Sequence, residues 1–220
     1  MESPTGLGTA EDVLHAAGRL FSARGFSATS THAIANAAGV RQASLYHYFA
    51  SKNEILLTLL TGTVSPSVET ARTLLVGDAP AAARLWALCA WDAALLVDDE
   101  NNVGSLYLQP EVNGEYFAAF HTLRRELRDA YAELIRACAG VDAAVMTDLV
   151  LGLVESVILL RRRHPDGVDA QTPVLVADGA LRLISIRAED LAAARARGAE
   201  LLVLLPSGRS VADQAEVGIG

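Results

Sequence analysis

Apolar side chains recur every three to four positions along most of this chain and strict alternation is scarce, so the pattern predicts helices throughout and an all-α fold. Val13, Leu14, Ala17, Leu20 and Phe21 form one stripe, opened by Thr9 with Asp12 as a capping box and stopped at Gly25. Thr29-Ser30-Thr31 offer hydroxyl caps to a short helix carrying Ile34, Ala35 and Ala38, which ends at Gly39. A third short helix is predicted from about Gln42 to Tyr48. Ser51 and Glu54 then open a helix that buries Ile55, Leu56, Leu59 and Leu60.

Beyond residue 60 the chain is punctuated by Pro66 and by Gly77-Asp78-Ala79-Pro80. Further helices are expected at 80–97, at 115–138 with Arg124, Arg125 and Arg128 on its wet side, at 142–163 and at 172–187. Residues 98–102 read as a solvated loop, and Pro110 and Gly114 break a short helix within 103–109. Gly140 reads as a helix stop. The pattern divides the chain into a head over 1–60, a helical body over 61–190 and a loosely ordered tail over 191–220, whose start resembles an Ala-rich helix.

Charge sharpens the division. The 220 residues carry a net charge of −8, but residues 13–60 hold Arg19, Arg24, Arg41 and Lys52 against Glu54 alone. A mildly basic head on an acidic body suits a head that meets phosphates and a body that would repel them. Cys89 and Cys138 sit in apolar runs without CxxC spacing, so they read as buried free thiols of a reduced compartment. The N-terminus lacks a basic and apolar leader, and the apolar run from Leu149 to Leu160 is too short to span a bilayer. A cytoplasmic protein with no membrane partner is expected.

The head has the parts of a helix-turn-helix. Ala35 and Ala38 allow close helix approach, Gly39 suits the turn, and Ile34, Val40 and Leu45 anchor it from behind. The second helix would lie in a major groove with Arg41, Gln42 and Ser44 at its leading end. Arginine can fork onto guanine and glutamine can pair with adenine. Tyr46, His47 and Lys52 are of types that hold phosphates, and Thr29 and Ser30 could reach the DNA backbone from the other side. Thr29, Ser30 and Ser51 are also needed as caps, and Tyr46 with Phe49 could be plain core aromatics.

The run GF-x-x-TS-x-x-x-IA-x-x-AGV-x-x-x-x-LY-x-YF-x-SK-x-E-x-L resembles the N-terminal signature of the TetR/AcrR family of bacterial transcriptional regulators over about residues 10–60. The resemblance implies a homodimer, each subunit with a three-helix DNA-binding head and a larger body holding a ligand pocket and the dimer interface. By position it implies that Thr29 and Ser30 touch phosphate, that Arg41, Gln42 and Ser44 read or flank bases, and that Tyr46, His47 and Lys52 clamp the backbone. One position departs from the family, which commonly has a serine after AGV where this chain has Arg41. Arginine is a poor cap, so cap stability of about 1 kcal/mol is exchanged for a charged contact.

The body shows no phosphate-cradling loop, nucleophile elbow or HExxH spacing, so no catalytic residue, cofactor or metal is assigned and no enzyme is expected. His164, Asp166 and Asp169 read as a helix terminus rather than a metal site. The helices at 142–163 and 172–187 are too apolar for one covered face. The family supplies the explanation, a four-helix dimer interface, and with it a two-fold operator. Trp86, Trp91, Tyr107, Tyr116, Phe120 and His121 are candidates to line an effector cavity, with Glu155 as a polar contact from the interface helix, although most of these aromatics read individually as ordinary core. Glu155 could also pair with an arginine or cross the dimer axis. The expected function is a sequence-specific repressor released from a pseudo-palindromic operator by a small molecule of unknown identity. The alternatives are an effector-independent regulator or activator, and a helical enzyme or carrier with an accessory head.

Overall fold

A computed structural model describes residues 9–139, 144–164 and 167–205. The expected stop at Gly140, the Pro165-Asp166 turn and the end of the tail beyond 205 lie outside the described residues. Among those residues there are nine α-helices and no strand: α1 (Ala10–Arg24), α2 (Thr31–Ala37), α3 (Gln42–Tyr48), α4 (Lys52–Leu75), α5 (Ala81–Asp98), α6 (Ala118–Ala139), α7 (Ala144–Arg163), α8 (Thr172–Leu183) and α9 (Ala188–Leu204). Between α5 and α6 the chain makes three short 3-10 turns, Val103–Leu108, Pro110–Asn113 and Glu115–Phe117. None of the helices is both long and apolar enough to cross a membrane.

The helices begin where their capping chemistry says they should. Thr9 accepts from the Asp12 N–H while the Asp12 carboxylate returns to the Thr9 N–H at 2.7 Å, closing a reciprocal box. At α4 the Ser51 hydroxyl accepts from the Glu54 N–H, but the Glu54 carboxylate reaches one residue further, to the Ala50 N–H at 2.6 Å. Helix α4 also continues through Pro66, which forfeits one backbone hydrogen bond, while Val64, Val68, Ala71 and Leu74 are buried on either side. Proline therefore does not punctuate the chain there.

The described residues fall into two compact units. One comprises 9–63 and 101–120, the other 64–100 together with the described part of 121–208. The first unit runs past residue 60 and also takes in a distant segment, 101–120. Val103 and Leu106 are buried in this unit, and Val103 approaches α1 at Gly18, where a Cβ would sit 3.4 Å from its methyl. Val112 and Phe117 are buried as well, and the Ser27 hydroxyl donates to the Glu111 carboxylate, which holds that carboxyl below its usual range. Local periodicity cannot reveal a segment that completes a core about 80 residues upstream.

In the second unit α5 is the central helix, packed against α7, α8 and α9. Two stops differ from expectation. Helix α8 ends at Leu183 rather than 187, because Ser185 takes a left-handed φ of 64° and the Ile186 N–H returns to the Leu181 carbonyl. No glycine marks that stop. The Ala-rich start of the tail is helix α9, which runs as far as Leu204 with Leu191, Ala194 and Gly198 buried. Gly198 makes this packing possible: a Cβ there would lie 2.5 Å from the Trp86 ring and 2.9 Å from the Ala83 carbonyl.

Candidate nucleic-acid interface

Helices α2 and α3 are joined by a tight turn whose geometry follows from Gly39. Its φ of 70° is left-handed, so the Gly39 N–H returns to Asn36 and the Val40 N–H to Ala35, satisfying the last carbonyls of α2. Behind the turn Ile34, Ala35 and Leu45 are buried. This turns the other face of α3 outward: Arg41, Gln42, Tyr46, His47 and Tyr48 are exposed, and Ser44 is half-buried.

Arg41 occupies the N-cap of α3 and makes no side-chain capping bond. Its guanidinium is exposed, and the N–H groups of the first turn are uncapped by it. Both features suit a helix end that meets an acceptor from outside. Gln42 and Tyr46 reach back to α2, where the Thr31 hydroxyl lies 3.5 Å from Gln42 Nε2 and 3.1 Å from the Tyr46 hydroxyl. On α2, Ser30 caps the helix by accepting from the Ala33 N–H, and exposed His32 and Asn36 face one another at 3.3 Å. Sequence reasoning overlooked Thr31, His32, Asn36 and Tyr48. Helical spacing from Ser30 could have placed the first three on one side of α2.

Two expected phosphate contacts lie elsewhere. Thr29 is 2% exposed, and its hydroxyl donates to the Gly25 carbonyl at 2.9 Å, locking the α1–α2 corner instead of facing outward. Lys52 donates from Nζ to the Phe26 and Thr29 carbonyls, both at 2.8 Å, with its ammonium 4.1 Å above the Phe26 ring. The ammonium therefore ties α4 to that corner, with two of its three protons already committed. Lys52→Met is expected to destabilise the head by about 2 kcal/mol, since charged hydrogen bonds are among the stronger ones. Operator affinity should fall while its salt dependence stays as in the parent. A salt slope lower by about one would instead place Lys52 on a phosphate.

The effector candidates separate. Trp86 is core: its indole N–H donates to Asp178 at 2.9 Å. Trp91 is half-buried, and its indole N–H has no acceptor among the described residues. Tyr107 and Phe120 stack at 5.3 Å within the first unit, where the Tyr107 hydroxyl meets Thr63 at 2.6 Å. Tyr116 is exposed and edge-on to Phe117. His121 and Glu155 do share a site, an open groove of about 510 Å³ between α6 and α7. There Glu155 pairs with Arg124 at 2.6 Å.

Sequence reasoning also missed two buried acids in the body. Asp178 receives the Trp86 bond and is approached by Arg182 and Arg195 at 3.6 and 3.5 Å. Asp92 accepts from the Tyr131 hydroxyl at 2.6 Å, and burial pushes its carboxyl up to about 6 despite hydrogen bonds from Tyr131 and Ser67. Both interrupt apolar runs, the same signal that singles out Glu155. Cys89 is buried beside Asp92 and its thiol is pushed up by desolvation, so it is inert. Asp169 accepts from the Gln171 N–H at the start of α8, a helix-end role.

The model of the bacterial regulatory proteins of the tetR family matches residues 13–59, from α1 through the recognition face into α4. The crystal structure of Mycobacterium smegmatis AmtR extends the likeness over almost the whole chain: 42% identity, covering 92% of this chain and 98% of that one, with a TM-score of 0.81. This chain belongs to the TetR family. Among other TetR-family proteins it is 29% identical to the HTH-type transcriptional repressor KstR2 of Rhodococcus jostii over 147 residues, 64% of this chain and 70% of that protein. It is 45% identical to KstR2 of Mycobacterium tuberculosis over 51 residues, a match spanning 26% of that protein's length. A structure of AibR in complex with isovaleryl coenzyme A and operator DNA shares the fold, with a TM-score of 0.63 and 24% identity over 80% of this chain and 97% of that one.

Proposed function

We propose that this chain is a cytoplasmic repressor that binds a two-fold operator as a dimer and releases it when a small molecule occupies the body. The observation that carries the DNA reading is the exposed α3 face, led by an Arg41 that no intramolecular bond at the cap restrains. Arg41 and Gln42 at the leading end would meet base edges, Ser44 would flank them, and Tyr46, His47 and Ser30 would meet phosphates. KstR2 is named a transcriptional repressor, and AibR was crystallised with both an acyl coenzyme A and its operator. The first precedent supports a DNA-binding repressor, and the second supports a ligand and an operator bound on the same fold. A ligand favouring one body conformation would lower operator affinity by that preference, typically about 1–3 kcal/mol.

The dimer reading is supported by α7 and α8. Val145, Leu149, Leu159 and Leu160 on α7 and Leu175 on α8 remain exposed, Val145 by 71% and Leu175 by 67%. On α7 they repeat at intervals of four, ten and one, a stripe along one side of the helix. A second copy applied about a two-fold axis would cover it.

Footprinting on the protein's own upstream DNA tests the reading. A two-fold protected site with half-sites about one helical turn apart is expected. Arg41→Ala should weaken binding about tenfold and lower the salt slope by about one. Unchanged affinity and slope would remove Arg41 from the interface.

A further inference from the structure

The groove between α6 and α7 is built mainly of charge, which is unusual for a ligand cavity. Arg124, Arg125 and Arg128 stand at intervals of one and three on α6, so they share one face over about one helical turn. Across from them α7 presents Asp148 and Glu155, again on one face. Two ion pairs close the ends: Arg124 with Glu155 at 2.6 Å, and Arg128 with Asp148 at 2.7 Å. The Arg128 bond holds the Asp148 carboxyl below its usual range. Between these ends the cations outnumber the acids. Arg125 has no carboxylate partner among the described residues; its terminal nitrogen donates to the Thr122 hydroxyl at 3.2 Å.

Gly152 is the second observation. It sits midway between Asp148 and Glu155 inside α7, where a glycine weakens a helix. Among the described residues nothing lies within 4 Å of where its Cβ would be, so their packing does not require a glycine there. Gly152 lines the groove beside the exposed α7 stripe, and its lack of a side chain leaves room there.

We propose that this groove binds a small dianion of the dicarboxylate or phosphate-monoester class, as the effector of the regulator described above. Arg125 takes one acidic group in a fork, and the outer N–H groups of Arg124 and Arg128 receive the other. The two ion pairs become part of the ligand's frame, because a guanidinium holding a carboxylate along one edge has donors along another. Since the ligand spans α6 and α7, its binding biases their relative placement. The proposal rests on the ligand-responsive reading for its role, and on the groove alone for its chemistry.

Isothermal titration with glutarate and with inorganic phosphate, at low ionic strength to limit screening, tests the site. Saturable binding with a Kd of about 1 mM or tighter is expected for at least one of them, and none for acetate or putrescine. Arg125→Gln should weaken it at least about tenfold, and Arg125→Lys less. Arg136→Gln, on the same helix outside the groove, should keep the parental affinity. No saturation at about ten times that concentration, or affinity indifferent to Arg125, overturns the site. Operator affinity is measured in parallel. Glutarate or phosphate binding that depends on Arg125 but leaves operator affinity unmoved upholds the groove and overturns the release reading. Operator release that ignores Arg125 does the reverse.

Discussion

Trp86→Ala is expected to lower the stability of the body by about 3–5 kcal/mol, the upper end of what a single core truncation costs. The indole is almost fully buried, lies directly beneath Gly198 of α9 and donates to the buried Asp178 of α8. Truncation therefore opens a cavity where three helices meet and also strips Asp178 of its neutral donor. Arg182 and Arg195 approach the other carboxylate oxygen, Oδ2, so they do not replace the donor lost at Oδ1. Trp86→Phe divides the two causes: it keeps most of the packing and should cost about 1–3 kcal/mol through the unpaired acid. Urea unfolding followed by circular dichroism measures both. A near-parental midpoint for Trp86→Ala would return the indole to the effector cavity for which its residue type makes it a candidate.

Asp92→Asn is expected to act in the opposite direction and only at higher pH. Burial raises the folded carboxyl from 3.8 to about 6, with Glu155 adding a like charge nearby. Well below 3.8 the group is protonated in both states and costs nothing. Between about 4 and 6 the unfolded chain ionises first, so stability falls as pH rises, and above 6 the full penalty of about 3 kcal/mol is present. Asparagine keeps the shape and can still accept from Tyr131. The variant should therefore match the parent near pH 3 and exceed it by up to about 3 kcal/mol near pH 7.5, measured as a thermal midpoint at both values. An equal difference at the two pH values would show that Asp92 does not titrate in this range.

The head was legible because its determinants are local. The Thr9–Asp12 box, the Ser30 cap, the Gly39 turn and the Ile34–Leu45 anchors each act within a few residues, and each is where the sequence placed it. Lys52 shows the limit of that legibility. A cation next to a helix start suits a phosphate and a pair of backbone carbonyls equally well, and only the folded corner at Phe26 and Thr29 separates them. Thr29 fails for a related reason, since it lies just before the α2 cap, where only the folded α1–α2 corner directs its hydroxyl to the Gly25 carbonyl. In the body, α9 was underestimated because an Ala-rich helix has little amphipathic contrast. Its partner is a tryptophan far upstream, Trp86, brought into contact by a single glycine. Asp92 and Asp178 stood out in their apolar runs, but their partners Tyr131 and Trp86 are set by helix packing that no periodicity encodes.

The composite make-up of the first unit bears on how such regulators can be recombined. A head excised at residue 63 would leave behind Val103, Leu106, Val112 and Phe117, all buried within this unit. It would carry bare apolar surface on α1 beside Gly18, and Ser27 would lose its carboxylate acceptor. A chimera that grafts this operator specificity onto another body must therefore transplant two stretches of chain. The reading head is portable only together with residues 101–120, the segment that completes its core.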